Sequence, residues 1–263
     1  MIDLVAQLLG WAPLLLAGLA GTAYAWGAAL ERERRGWPAR RTASFLAGTT
    51  LVVLALSPDV DAWADRDFAG HAAQHLLLAM LAPLLLVLGA PTTLLLRRLP
   101  HRAARRLGPL LHGPVGRVLA HPVPALVLSS GGLVVLYLTP LYELSTRHDL
   151  VHALVHVHLL AAGLLFTWAI AGPDPAAGRA SVRARLVALG VAVAVHATLS
   201  QLLHAGVLVR VDEPAQEMRA AGSLMYFGGD LIELLLALAL LATWRPAPRR
   251  ADTQVPHRPA GAG

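Results

Sequence analysis

The chain has 263 residues, of which 56% are hydrophobic and only 14% charged, and its mean hydropathy is +0.57. That composition is typical of a protein with several membrane spans and excludes an intrinsically disordered chain. The absence of cysteine excludes disulfides, thiolate copper relays and covalent haem attachment through C-x-x-C-H. Lysine is absent too, so a retinal protein with a Schiff-base lysine is excluded.

The apolar runs are long enough to cross the hydrocarbon core as helices of about 20 residues each. In chain order, the predicted spans are residues 9–30, 42–57, 71–96, 122–142, 150–171, 184–206 and 221–244. The first run lacks a positive leading segment and a small-residue cleavage site, so we interpret it as a retained span and not as a signal peptide. The sequence therefore predicts an all-α membrane protein, a single bundle of seven transmembrane helices within residues 1–245.

Arginines are concentrated in alternate connections, which predicts the orientation of the bundle. They follow the first, third and fifth spans and the last one: Arg32, Arg34, Arg35, Arg40, Arg41, Arg97, Arg98, Arg102, Arg105, Arg106, Arg117, Arg179, Arg183, Arg185, Arg245, Arg249, Arg250 and Arg258. Because cytoplasmic loops carry the excess of basic residues, we expect the N-terminus outside and the C-terminus in the cytoplasm. The net charge of +6 then reflects topology and gives no reason to expect a nucleic-acid partner.

Two basic segments are expected on the cytoplasmic side. Residues 97–121, rich in proline and glycine, are interpreted as an interfacial loop with room for a short helix, and residues 246–263 as a disordered basic tail. Four histidines fall in these segments and are expected to be surface residues: His101, His112, His121 and His257.

The other eight of the twelve histidines lie in or beside predicted spans, and four of them form two pairs. His71 and His75 in the third span, and His152 and His156 in the fifth, are each four residues apart. Residues at that spacing share one face of a helix. Both pairs lie near the outer ends of their spans, and imidazole is a good ligand for copper, zinc and haem iron. If the third and fifth spans are neighbours, the four histidines can form one metal site.

Three further residues are candidate ligands at the same outer boundary. His148 precedes His152 by one turn, His204 lies near the outer end of the sixth span, and Met225 is in the outer part of the seventh. A thioether beside several imidazoles suits Cu(I), because sulfur is a soft ligand. For each of these three, a loop or packing role is the ordinary alternative.

A second group of polar residues is predicted deeper in the membrane. At about 1.5 Å per residue, His158, His196 and Asp230 reach a similar depth, with Glu233 one turn beyond Asp230. Such a buried polar cluster can relay protons, support the outer ligands or form an ion pair between helices. A single histidine in a span is also often only an interhelical hydrogen-bond partner.

Three segments resemble the CtaG-type cytochrome c oxidase assembly factors, which are associated with caa-type oxidases. The first is HAAQHLLLAMLAPLLLVLGAP at 71–91, with its H-x-x-Q-H opening. The second is LYELSTRHDLVHALVHVHLLAAGLLFTWAIAGPDP at 141–175, with its paired histidines and closing G-P-D-P. The third is AAGSLMYFGGDLIELLLA at 220–237, and the resemblance as a whole runs from about residue 10 to 244.

The resemblance implies a non-enzymatic, multi-pass protein of a bacterial cell membrane that helps to insert copper into a haem-copper oxidase. By it, His71, His75, His152 and His156 match the family's histidine motifs, and Met225 its methionine. The partners it implies are oxidase subunits, and an outward-facing site would also allow loading by a soluble extracytoplasmic copper carrier.

Two other functions fit the same residues. A membrane b-type cytochrome would use histidines on facing helices as axial haem ligands, for example His75 with His152 or His156. A scaffold for oxidase assembly would bind no metal, and its histidines would only hydrogen-bond helices together.

Overall fold

The computed structural model describes residues 2–174 and 178–244, and every regular element in those residues is helical. The helices in chain order are α1 (Ile2–Arg35), α2 (Ala39–Ala55), α3 (Pro58–Ala64), α4 (Phe68–Leu76), a π-helical segment (Leu77–Leu81), α5 (Ala82–Leu88), α6 (Pro91–Arg98), α7 (His101–His112), α8 (Pro114–Leu119), α9 (Pro122–Leu138), α10 (Leu141–Arg147), α11 (Asp149–Ala171), α12 (Val182–Ala205) and α13 (Ala215–Thr243). The main hydrophobic core lies between α4–α5, α9, α11, α12 and α13.

Five described helices are long and apolar enough to cross a membrane: Pro13–Arg35, Phe68–Leu88, Asp149–Ala171, Val182–Ala205 and Ala215–Thr243. Two bent pairs raise the number to as many as seven, namely α2 with α3, bent by 58°, and α9 with α10, bent by 77°. The prediction of an all-helical protein with several membrane helices is confirmed. The count of seven spans and the orientation of the termini stay predictions.

Both bends occur at prolines that lie at predicted span ends. Pro58 begins α3 after the extended Ser57, and Pro140 precedes α10 after the extended Thr139. A proline lacks the N–H that would continue the preceding helix, so each helix stops and restarts in a new direction. The short helices α3 and α10 consequently lie across the same end of the bundle as the paired histidines.

The predicted third span, 71–96, is wrong as a single helix. The helix that starts at Phe68 ends at Leu88, and α6 begins after Ala90, whose φ of 53° is left-handed. Pro91 at the start of α6 cannot donate a helical hydrogen bond, which favours this break. The segment after residue 97, expected to be mainly loop, forms α7 and α8. The tail 246–263, with His257, lies outside the described residues.

The helix Phe68–Leu88 packs against α11 unusually closely, and this contact positions both histidine pairs. Ala79 lies in the π-helical segment, and its carbonyl receives no helical hydrogen bond from residue 83, because that residue is a proline and has no N–H. Gly163 of α11 faces that carbonyl so closely that a Cβ atom at this position would collide with it. A helix can approach a neighbour's backbone this closely only where its own residue is small.

Polar groups gather at two opposite ends of the bundle. At one, hereafter the arginine end, Glu31 of α1 pairs with Arg97, and Asp174 accepts hydrogen bonds from the start of α6. At the other, the histidine end, α3, α10 and the first turns of α4, α11 and α13 come together. There Glu217 Oε2 accepts a hydrogen bond from the backbone N–H of Phe68.

Candidate metal centre

The four paired histidines meet at the histidine end and form a quartet: His71, His75, His152 and His156. Ring centroids are 4.2 Å apart within each helix, for His71–His75 and for His152–His156. Between the helices they are 5.8 Å apart for His71–His152 and 5.6 Å for His75–His156. The assumption that the third and fifth predicted spans are neighbours is therefore correct.

One ring nitrogen of each of the four histidines is buried and has no hydrogen-bond partner among the described residues. Nε2 of all four rings is buried without a hydrogen bond to any described residue. Buried polar atoms are nearly always hydrogen-bonded, and leaving one unpaired costs about 1–3 kcal/mol. Four such atoms on neighbouring rings favour a cation site, because each Nε2 lone pair can be a metal ligand.

The spacing of the rings also fits an ion shared by one imidazole from each helix. With a metal–nitrogen bond of roughly 2 Å, two imidazoles on one ion have centroids roughly 4.5–6 Å apart. The interhelical distances of 5.6 and 5.8 Å fall in that range. The pairs at 4.2 Å are slightly closer, so binding requires only small rotations of the rings.

Asp61 of α3 extends the quartet toward solvent. Ligand atoms of Asp61, His152 and His156 all lie within 4.8 Å of one another, and Asp61 Oδ1 is 3.7 Å from His152 Nε2. The Asp61 side chain is 47% exposed and that of His152 17%, whereas His71, His75 and His156 are buried. Asp61 and His152 therefore form the entrance to the site, and the other three histidines form its interior.

Gln74 explains why a glutamine stands between the histidines of the first pair. Its buried amide donates to the carbonyl of Ala55 at 2.8 Å and to Asp61 Oδ1 at 3.0 Å. The first bond satisfies a carbonyl at the end of α2, and the second fixes the Asp61 carboxylate. One side chain thus stabilises the bend between α2 and α3 and orients the entrance.

Two tyrosines support the quartet from the other side. His75 Nδ1 is 3.1 Å from the hydroxyl of Tyr137, and the ring of Tyr142 contacts His71 edge-on at 5.3 Å. In the tautomer that leaves His75 Nε2 free for a metal, Nδ1–H donates to the Tyr137 hydroxyl. Such outer partners orient metal-binding imidazoles and make them better ligands.

Acidic residues surround the entrance and give it a negative potential. Beside Asp61, the described loops and helix starts at this end carry Asp65, Asp67, Asp212, Glu213 and Glu217. Burial, reinforced by Glu217 and Asp212, raises the pKa of the Glu213 carboxyl above its ordinary value. A negative rim of this kind raises the local concentration of cations.

The three other candidate ligands lie in different surroundings. His148 is exposed and is the N-cap residue of α11. His204 is exposed, and its Nδ1 is 3.1 Å from the carbonyl of Arg219 and 3.2 Å from Ser223 Oγ, so it joins α12 to α13. Met225 is buried in the hydrophobic core. For each of the three the ordinary structural role is the one observed, and their role as ligands stays a prediction.

The structure brings together His196 and Glu233 of the predicted deep cluster and places His158 elsewhere. His196 and Glu233 are both buried, with 3.8 Å between His196 Nδ1 and Glu233 Oε1, and the half-buried Asp230 is one turn from Glu233. His158 is exposed and its Nε2 is 3.1 Å from the carbonyl of Leu128 on α9. Depth along a helix does not fix the direction of a side chain, and His158 points away from the α12–α13 contact.

The histidines predicted to be surface residues on the cytoplasmic side are exposed where their side chains are described. His101 and His121 are exposed, and His121 Nδ1 accepts a hydrogen bond from the N–H of Val123 at the start of α9. Neither is near the quartet, because His101 begins α7 and His121 precedes α9, both at the arginine end of the bundle.

Comparison with known proteins gives a family. A family model described as cytochrome c oxidase caa3 assembly factor matches residues 22–247. That range includes the quartet, Asp61, Gln74, both tyrosines and the His196–Glu233 pair. No solved structure matches the chain.

Similar proteins, named as uncharacterized, occur in mycobacteria. Proteins of Mycobacterium bovis and Mycobacterium tuberculosis are each 32% identical to this chain over an alignment of 263 positions, and the alignment covers 91% of the chain and 40% of the relative. A Mycobacterium leprae protein is 30% identical over 234 residues, covering 82% of the chain and 36% of the relative. The chain therefore spans about 40% of the length of the relatives it matches.

Proposed function

This chain belongs to the cytochrome c oxidase caa3 assembly factor family, and we propose that it contributes to assembly by holding copper in the histidine quartet and passing it to an oxidase subunit. In this proposal copper is the cargo, and the protein carries out no catalytic step. Membership of the family supports the interaction with an oxidase, and the four imidazoles support copper as the cargo.

The observation that carries the proposal is the set of four buried Nε2 atoms without partners on two packed helices. Metal-free helix contacts use histidine as a hydrogen-bond partner, which would leave these atoms paired. Imidazole suits copper, zinc, iron and nickel, and copper is the metal that an oxidase of this kind has to acquire. The quartet is thus well suited to bind the cargo that the family membership implies.

The expected ease of release follows from the same residues. The quartet has no thiolate, because the chain has no cysteine, and a carboxylate stands at the entrance. Imidazole ligands that turn outward one at a time allow stepwise exchange. His152, the most exposed of the four, is the first to make contact with an incoming carrier and the last to lose it.

The proposed orientation places the quartet on the outer face. The arginine-rich connections lie at the opposite end of the bundle, and the positive-inside rule assigns that end to the cytoplasm. A soluble extracytoplasmic carrier can then load the site, and an oxidase subunit in the same membrane can receive the ion laterally.

The test is oxidase assembly under copper limitation. In cells whose only copy of the gene carries His71→Ala, His75→Ala, His152→Ala or His156→Ala, we expect loss of caa3-type oxidase activity that added copper partly restores. Matched variants His101→Ala and His121→Ala, at exposed histidines, should retain full activity. Normal activity in all four quartet variants at limiting copper would contradict the proposal.

The two other functions predict different results for the purified protein and for the same variants. A Soret band with stoichiometric haem in the purified protein would support a b-type cytochrome. A wild type that binds no metal, together with quartet variants whose loss of oxidase assembly is not restored by added copper, would support a metal-free scaffold.

A further inference from the structure

A second unsatisfied polar site lies deeper in the bundle, where α12 contacts α13. His196 Nδ1 and Glu233 Oε1 are 3.8 Å apart, and their side chains are only 5% and 6% exposed. This distance is too long for a hydrogen bond. Both ring nitrogens of His196 and Oε2 of Glu233 are buried and have no hydrogen-bond partner among the described residues.

A cavity of about 40 Å³ lies beside this pair. Its polar lining also includes Ser129 and Ser130 of α9 and Thr167 of α11, and the π-helical segment contributes Met80. One water needs about 10–15 Å³ of such volume, so the cavity holds on the order of three water-sized groups. That is enough for one ion with one or two waters.

Two features of the backbone keep this space available. Gly229 lies against the His196 ring so closely that a Cβ atom there would collide with the imidazole. The π-helical turn Leu77–Leu81 places Ala79 and Met80 on the cavity wall. π-Helical turns occur frequently at functional sites, and they widen the helix locally.

The charges of the lining favour a cation. No arginine is among the residues that line the cavity, and Glu233 is its only carboxylate. An ionised carboxylate within a membrane is strongly disfavoured unless it has a positive partner, which a bound cation would supply to Glu233. His196 at 3.8 Å makes no direct hydrogen bond with it, which leaves the position between them for an ion.

We infer that this cavity is a second copper site, with His196 and Glu233 as its protein ligands. The inference rests on the proposed function of the quartet. Two ligands with bonds of about 2.1 Å at a tetrahedral angle are about 3.4 Å apart, close to the observed separation. The imidazole and the thioether of Met80 favour copper over magnesium or calcium, which prefer oxygen ligands alone.

The place of the cavity relates it to the quartet. Met80 follows His75 by five residues on one continuous helix, a rise of about 7.5 Å. The cavity therefore lies one to two helical turns below the quartet. A metal bound there is held closer to the centre of the bundle and is enclosed by five helices.

The experiment measures copper stoichiometry in the purified full chain, with Cu(I) supplied under reducing conditions and weakly bound metal removed by a competing chelator. We expect two copper ions per chain in the wild type and one each in His196→Ala and Glu233→Gln. A double variant of the quartet, His71→Ala with His152→Ala, should also bind one. His158→Ala is the matched control, because its imidazole is bonded to a backbone carbonyl on α9, and it should bind two.

Each other result decides against the inference. One copper in the wild type that disappears in the quartet double variant would overturn the second site and leave the proposed function standing. No copper in the wild type would overturn both. Two coppers in His196→Ala and Glu233→Gln, with thermal unfolding unchanged, would also overturn it. A wild type with one copper and an infrared band of a protonated carboxylic acid that is lost in Glu233→Gln would make the pair a proton site instead.

Discussion

Each end of the bundle buries a polar cluster, but the two clusters differ in how their central side chains are bonded: both carboxylate oxygens of Asp174, at the arginine end, accept hydrogen bonds. There Asp174 accepts from the backbone N–H groups of Thr92 and Thr93 and from the Thr93 hydroxyl, while Arg179 donates to the Asp174 carbonyl. At the histidine end, four buried imidazole nitrogens have no partner. The bonds of Asp174 stabilise the fold, whereas each buried imidazole nitrogen without a partner costs stability unless a ligand pairs with it.

The comparison also explains why the segments 71–91 and 141–175 resemble the family together. They meet at the histidine end through the quartet. They meet again at the arginine end, where Asp174 of the second segment accepts hydrogen bonds from the first turn of α6, which begins at Pro91, the last residue of the first segment. The first contact supplies the candidate site, and the second fixes the two segments relative to each other.

The largest effect on stability is expected from removal of Asp174. Asp174→Ala leaves the N–H groups of Thr92 and Thr93 without their acceptor at the start of α6. Because hydrogen bonds to a charged group contribute about 1.5–3 kcal/mol each, the free energy of unfolding should fall by roughly 3 kcal/mol or more. Thermal unfolding in detergent, followed by tryptophan fluorescence, measures this change. Unchanged stability would remove the contrast between the two ends.

The largest effect on metal binding is expected from a substitution in the interior of the quartet. Unlike the Asp174 substitution, it should raise the stability of the metal-free protein. His156→Leu replaces a buried, unpaired imidazole by an apolar side chain of similar size. We expect copper affinity to fall by about 100-fold or more, while the metal-free protein becomes more stable by up to about 1–3 kcal/mol. Copper titration and thermal unfolding of the same preparation give both values. A large loss of stability would show that the quartet is structural, like Asp174.

A smaller effect is expected at the entrance. Asp61→Asn keeps the shape of the side chain but removes its charge beside His152. Copper affinity should fall by about 10–100-fold and loading should slow most at low ionic strength. The matched control is Asp59→Asn, an exposed acid of the same short helix that is not part of the group. Equal effects of the two substitutions would assign them to the general negative potential and not to Asp61.

The smallest effect on the protein is expected from single cysteine substitutions at exposed positions, and these report which end of the bundle faces outward. In this chain without cysteines, Asp65→Cys should react with a membrane-impermeant thiol reagent added outside intact cells, and Arg102→Cys should react only after the membrane is opened. The reverse pattern would place the quartet on the cytoplasmic side and exclude loading by an extracytoplasmic carrier.

The sequence predicted the pairing of the histidines because spacing along a helix determines which residues share a face. It predicted the helical bundle because apolar length determines membrane helices. Asp61 was not predicted as part of the site, since it reaches His152 only through the bend at Pro58. A glutamine between two ligand-spaced histidines was the available signal, because a buried amide requires partners and one of its partners is Asp61.

Other errors have the same physical origin. The place of His158 was wrong because depth in the membrane leaves rotation about the helix axis undetermined. The third span was predicted too long because a left-handed residue before a proline leaves little trace in hydropathy. That the quartet binds metal stays a prediction, since the neighbourhood of four imidazoles is necessary for a site but does not identify the ion.

The most direct measurement is the metal content and the metal coordination of the purified protein. Copper X-ray absorption of the wild type should show a first shell of nitrogen ligands at about 2 Å with the outer scattering of imidazole rings. The His71→Ala and His152→Ala variants should lose the copper that the quartet holds, and with it the imidazole scattering of that site. A wild type that retains no copper after chelation, or one whose copper spectrum is unchanged in both variants, would contradict the account.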